Sequence, residues 1–211
     1  MRPRRRRPID LLPIALGLLL MGASLPAPTN QLRQDVSRVL AVLQDSTLKS
    51  EVMTRQRRTA LRTIVGDSFD FEETARRALG RHWTARTAVE RGEFVDLFRG
   101  LLEETYLTKF ELYADEDITY LGEAVNGSEA TVRTRIVPKR GAQVPVDYRM
   151  HLRGDDDRWR IYDVVMDGVS LVDNYRAQFN RIIQTSSYGE LITKIQAVEA
   201  GPRPTRPVGS P

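Results

Sequence analysis

The chain has 211 residues and no cysteine, which excludes disulfides, thiol nucleophiles, thiolate metal sites, iron–sulfur clusters and an acylated-cysteine anchor. Hydrophobic residues make up 41% and charged residues 28%, the composition of one folded domain with a sizeable core. The net charge of +4 is a poor guide to partners: residues 25–200 hold 25 basic and 27 acidic side chains, so the excess lies in the two ends. The body gives no electrostatic case for nucleic acid.

The N-terminus places Arg2 and Arg4 to Arg7 before an apolar run, Leu11–Met21, followed by the small residues Gly22, Ala23 and Ser24. That order is the one a secretory signal peptide uses. The run is shorter than the roughly 20 residues that span hydrocarbon. Residues 1–24 are therefore expected to be a signal peptide, and a cysteine-free exported chain suits the periplasm.

Apolar residues at helical spacing (Leu32, Val36, Val39, Leu40, Leu43) predict a first helix over Gln31–Leu43. A second is expected over Lys49–Val65, ended by Gly66, with Arg55, Arg57, Arg58 and Arg62 on its outer face. Asp70 reads as the N-cap of a third, Phe71–Leu79, with Glu72 and Glu73 in its first turn and Gly80 at its end. Thr87 to Tyr113 reads as one long helix or a broken pair, with a stripe that includes Phe94, Phe98, Leu101, Tyr106 and Phe110.

From Ile118 the period changes to two. Four strands are predicted, Ile118–Val125, Ala130–Val137, Val144–Leu152 and Trp159–Met166, joined by turns short enough to require antiparallel neighbours. Asn126-Gly127 is a strong hairpin signal. In the third strand Val144, Val146, Tyr148, Met150 and Leu152 share one face, while Asp147, Arg149, His151 and Arg153 share the other, read as wet. Two helices follow, Leu171–Ile183 and Tyr188–Val198, and residues 199–211 form a Pro-rich tail. The expected fold is α+β, a four-stranded antiparallel meander with N- and C-terminal helices packed on one face.

Candidate chemistry is thin. His82 and His151 have no partners at ligand spacing, so no metal or cofactor is expected. Gly168-Val169-Ser170 lacks the second glycine of a nucleophile elbow, and Ser170 reads as a helix N-cap. Asp155-Asp156-Asp157 reads as a solvated turn. Asp163 shares strand parity with Trp159 and Ile161. It reads as a structural acid paired with an arginine of a neighbouring strand, with a general base as the alternative. The apolar supply looks larger than one small core needs, which leaves room for an apolar cavity.

One ordered series of short motifs goes further. It comprises Phe69-Asp70-Phe71, Arg77-Ala78-Leu79-Gly80-Arg81-His82-Trp83, Glu93-Phe94-Val95 with Leu97-Phe98, and Tyr120-Leu121-Gly122-Glu123. It continues with Pro145 to Met150, Trp159 to Val164, Asp167 to Val172, Asn174-Tyr175-Arg176, Gln178-Phe179 and Ser187-Tyr188. Over residues 31–198 this series resembles the MlaC, or toluene-tolerance, family of periplasmic phospholipid-binding proteins.

The resemblance implies a monomeric carrier, not an enzyme, that holds lipid tails between a twisted sheet and helices. It implies as partners an outer-membrane lipoprotein–porin complex and an inner-membrane ABC transporter with its substrate-binding ring protein. The expected lipid contacts are Val146, Tyr148, Met150 and Leu152 on the third strand. Val132, Thr134 and Ile136 join them from the second strand, with Tyr162, Val164 and Met166 from the fourth and Phe94, Phe98 and Leu101 as a helical lid. Alternatives are a hopanoid-type lipid as cargo, a small pocket enzyme using Asp163 with Tyr162 or Tyr148, and a periplasmic adaptor that binds only protein.

Overall fold

The first apolar stripe folds as α1, Pro28–Gln44, with Pro28 in the first turn where its missing N–H costs nothing. The structure is a computed structural model that describes residues 27–48, 50–112, 116–154 and 157–199. The expected signal peptide, the tail beyond Glu199 and the acids Asp155 and Asp156 lie outside the described residues. A short 3-10 turn, Glu51–Met53, leads into α2, Thr54–Ser68. The helix runs through Gly66, the residue expected to end it. The glycine lets another side chain approach closely: a Cβ would stand 3.1 Å from the Arg99 guanidinium that crosses this turn.

Helix α3, Phe71–Leu79, starts where Asp70 predicts, its carboxylate accepting the Glu73 N–H at 2.9 Å. It ends at Gly80, whose φ of +56° is the left-handed region that a side chain would strain. Helix α4, Ala88–Leu112, is a single helix. Thr87 and Glu90 cap it reciprocally, Thr87 Oγ1 accepting the Glu90 N–H at 3.2 Å and Glu90 Oε2 accepting the Thr87 N–H at 2.7 Å.

Four long strands follow: β1 (Asp117–Asn126), β2 (Glu129–Val137), β3 (Val144–Arg153) and β4 (Arg158–Met166). A two-residue β5, Val169–Ser170, completes an antiparallel sheet of order β1-β2-β3-β4-β5. It is the addition to the four strands expected, too short to carry a period. Helices α5 (Leu171–Thr185) and α6 (Tyr188–Glu199) close the chain.

Two bulges decide what the sheet shows on each side. In β4 the pairing with β3 passes from Arg149↔Asp163 to Met150↔Ile161, leaving Tyr162 as the extra residue. Trp159, Ile161, Val164 and Met166 therefore all lie on the face of Tyr148 and Met150, although their sequence parity differs. Tyr162 and Asp163 both turn to the other face. In β1 the shift falls between Tyr120 and Gly122, and Gly122 takes a φ of +131° to make it. Tyr120, paired with Thr134, and Glu123, paired with Val132, thereby share the apolar face.

The buried apolar residues form three clusters. Leu32 of α1 sits on Ala130, Val132, Met150, Trp159 and Ile161. Leu43 and Leu61 join α1 to α2. The largest cluster lies among α3, α4, α5 and α6, around Phe94, Phe98, Tyr175, Phe179 and Leu191. In it Phe98 meets Tyr175 and Phe179 edge-on at centroid distances of 5.0 and 5.2 Å. Much of the apparent apolar surplus is thus helix-on-helix packing. Helices meet the sheet from both sides: α1 covers its apolar face, while α3 and the start of α5 bond to the polar face.

Asp163 is the hub of that polar face. It is 2% exposed, and its Oδ2 accepts from Arg149 Nη1 at 3.0 Å and from Ser170 Oγ at 2.6 Å. Its Oδ1 accepts the Val172 N–H at 3.0 Å, while Ser170 Oγ accepts the Asp173 N–H and so caps α5. One carboxylate joins β3, β4, β5 and the first turn of α5. His151, read as solvated, is instead half-buried, with Nε2 3.0 Å from Asp70 Oδ2. Burial alone would raise the Asp70 pKa. The His151 hydrogen bond, the Glu73 N–H and the charges of His151 and Arg153 outweigh it and hold the carboxyl down at about 2.

Asp163→Ala leaves Arg149 and the α5 terminus without their acceptor, and is expected to cost about 3 kcal/mol in urea unfolding. An effect under about 0.5 kcal/mol would mean that the carboxylate joins nothing. For Asp70 the sign follows from a folded pKa lower than the unfolded one. Its contribution is present above about pH 4 and is lost as pH falls toward 2. Wild type should exceed Asp70→Asn in stability by about 2 kcal/mol at pH 5, with the gap closing by pH 2.

Candidate functional site

The face opposite Asp163 is built from alternate residues of four strands. Its rungs run Ile118–Ile136–Val144, then Tyr120–Thr134–Val146–Met166, then Glu123–Val132–Tyr148–Val164, then Val125–Ala130–Met150–Ile161, with Leu152 and Trp159 last. Nine of the residues expected to contact a ligand are brought together here: Val132, Thr134, Ile136, Val146, Tyr148, Met150, Leu152, Val164 and Met166. Tyr162 is not among them. It lies on the polar face, with the Arg77 guanidinium 3.8 Å above its ring and His151 edge-on to it. Phe94, Phe98 and Leu101 belong to the helical core, a cluster separate from the one on the sheet.

Cover over this face is uneven. Toward Leu152 and Trp159 it is closed: Leu32, Val132 and Met150 are at most 1% exposed. Toward the other end, Ile118, Ile136, Val144, Tyr148 and Val164 are half-buried and Met166 is 45% exposed. Thr134 is buried there without cost, because its Oγ1 donates to the Val146 carbonyl at 2.8 Å.

Polar contacts hold α1 along the closed part. Glu123 Oε2 accepts the Thr29 N–H at 2.7 Å, filling one of the free donors of the first turn of α1. The Arg33 guanidinium lies 4.0 Å above the Tyr120 ring. Asp35, 4% exposed, has Arg38 at 3.6 Å and Arg158 at 3.9 Å. Sequence reading had left Arg33, Ile118, Tyr120 and Glu123 out of the site. The available signal was Gly122, since a glycine inside a strand pattern marks a bulge and a change of parity.

Tyr148 is the most informative residue on the face. Enough protein surrounds it that burial, with a smaller push from Tyr120, raises its phenol to about 12. It nevertheless keeps accessible surface. Its accessible surface lies on the half-covered part of the apolar face. Burial also raises the Tyr120 phenol, against the opposing charge of Arg33.

Elsewhere, an open groove of about 510 Å³ runs between the Gly80–His82 turn and α5. Its walls are knitted together: Asn180 Oδ1 faces both Arg81 Nη2 at 2.7 Å and His82 Nε2 at 3.0 Å, and Arg176 is held by Asp173 and the Arg77 carbonyl. Among the described residues no group of three or more acidic or histidine side chains is placed to hold a metal ion, and no helix is long and apolar enough to cross a membrane.

Residues 33–197 match the family described as MlaC protein. The intermembrane phospholipid transport system binding protein MlaC of Haemophilus influenzae is 25% identical over 149 residues, covering 67% of this chain and 70% of that relative. The solved phospholipid-binding protein of Ralstonia solanacearum, a structure in complex with a phospholipid, is similar at a TM-score of 0.72 and 23% identity. The match covers 83% of this chain and 98% of that one, and it shows a shared fold.

Titration followed by the ultraviolet band of phenolate is expected to show one tyrosine ionising last, near pH 12, in wild type. Tyr148→Phe should remove that step alone. A variant whose last step is unchanged would mean that Tyr148 is not the buried phenol.

Proposed function

The chain belongs to the MlaC family, and we propose that it is a periplasmic phospholipid carrier whose acyl-chain site is the half-covered apolar face of the sheet. The observation that carries this reading is Tyr148, largely surrounded by protein yet accessible, among aliphatic side chains that are only half-buried. Acyl chains have the chemistry to complete their cover. Each buried CH₂ contributes about 0.8 kcal/mol, so a few methylenes from each of two chains suffice to keep a lipid from water. The names of the H. influenzae relative and the R. solanacearum structure support phospholipid as the cargo.

In this reading residues 1–24 are removed on export, and the mature protein moves lipid between an outer-membrane lipoprotein–porin complex and the ring protein of an inner-membrane ABC transporter. Release then requires the site to open on the partner, since a carrier that binds both states equally well delivers nothing. No catalytic step is assigned. Asp163, the residue considered for one, has both carboxylate oxygens committed to Arg149, Ser170 and the α5 backbone, on the face away from the cleft.

Native mass spectrometry of mature protein purified without detergent tests the proposal, and a stoichiometric phospholipid adduct is expected. Ile136→Trp or Val164→Trp, placed in the half-covered part, should fill the cleft and remove the adduct while thermal unfolding shifts by no more than a few degrees. Met150→Trp, in the closed part, should unfold the protein instead. A bare wild-type mass that persists after incubation with phospholipid vesicles would falsify the carrier reading. A hopanoid adduct would replace phospholipid with a polycyclic cargo.

A further inference from the structure

Tyr148 carries a second message, which rests on the carrier reading and narrows it. Its hydroxyl makes no hydrogen bond within the described residues, although its neighbours on the face are Val132, Val164, Val146 and Met150. The hydroxyl is not among the fully buried unpartnered atoms of the described residues, so it opens onto the half-covered face and is available to a partner from outside the chain. Thr134, one rung away, shows the contrast, since its hydroxyl is spent on the Val146 carbonyl.

The surroundings specify the partner. A phenol is neutral at physiological pH and offers one donor and ordinary acceptor capacity. Hydrocarbon tails cannot use it. The first group above the tails of a glycerophospholipid that can is the ester carbonyl, an acceptor at the boundary between apolar and polar parts. The face shows the same boundary: aliphatic side chains surround Tyr148, while Tyr120 lies diagonally across β2 under the Arg33 guanidinium. Arg33 has no carboxylate partner among the described residues, so its charge is free for a phosphate above the esters. Glu123, the acid on this face, is engaged with the α1 backbone.

We infer that the Tyr148 hydroxyl donates to an acyl-ester carbonyl of the bound lipid and makes the cleft selective for ester-linked glycerophospholipids over ether-linked or polycyclic ones. A phenol among aliphatic side chains then has a purpose that phenylalanine could not serve. Tyr148 acts as a specificity residue; the tails supply most of the affinity.

The experiment compares two lipids that differ only at the linkage, dioleoyl phosphatidylglycerol and its di-O-oleyl ether analogue, by competition for wild type and Tyr148→Phe. Wild type is expected to prefer the ester by about five- to tenfold, the range for one hydrogen bond made in a dry site. Tyr148→Phe should bind both lipids as wild type binds the ether. Equal affinity of wild type for the two lipids overturns the inference, and so does an equal loss for both in the variant, which would make Tyr148 a packing residue only. Those results leave the carrier reading intact. If wild type binds neither lipid, the carrier reading fails and this inference fails with it. Arg33→Gln adds an independent arm that keeps Tyr148 in place. It should weaken both lipids alike and leave the ester preference unchanged; loss of the preference in that variant would also overturn the inference.

Discussion

One extra residue in β4 governs both faces of the sheet. Strict alternation from Trp159 would send Ile161, Asp163 and Val165 to one side and Tyr162, Val164 and Met166 to the other, mixing a carboxylate with the apolar set. The bulge at Tyr162 changes parity midway, so Trp159 and Ile161 continue the apolar face that Val164 and Met166 begin. Asp163 is delivered to the opposite face, where Arg149, Ser170 and the α5 backbone await it. Without that step a buried carboxylate would stand in the cleft unpaired, at a cost of several kcal/mol.

The second bulge, at Leu121 and Gly122, does the same for the edge strand. It sets Tyr120 and Glu123 on one face beneath α1, and these two residues fix the start of the helix through the Arg33 ring contact and the Thr29 N–H. The wall above the sheet is therefore held by a few polar contacts and by Leu32, while the helical core keeps its own large aromatic cluster. The apolar face of the sheet and the helical core are thus packed independently of each other. Contacts such as Arg38–Asp67, between half-exposed partners, are individually worth less than about 1 kcal/mol. The Phe94–Phe98–Phe179 packing is far harder to disturb.

Much of the fold was legible in the sequence because the signals are local. Asp70 and Ser170 cap the helices they precede, Gly80 ends α3, and the period-two stretches match the four long strands. The third strand shows its apolar face without ambiguity. Less legible was any feature that depends on a neighbour. Gly66 looked like a terminator because the arginine that crosses it comes from another helix. His151 looked solvated because Asp70 is 81 residues away. Phe94, Phe98 and Leu101 looked available to the sheet because a helical stripe does not say which surface it will meet.

The sequence by itself determined the element types and order, the absence of thiol chemistry, and the motif series whose resemblance to one family the match over residues 33–197 bears out. These rest on backbone propensity, capping and composition, which act within a few residues. Only the tertiary structure decided which apolar residues share a face, which are spent on a helical core, and which remain half-covered around Tyr148. Side-chain direction in a strand depends on a register set by its partner, so a single shift at Tyr162 or Leu121 reassigns every residue beyond it.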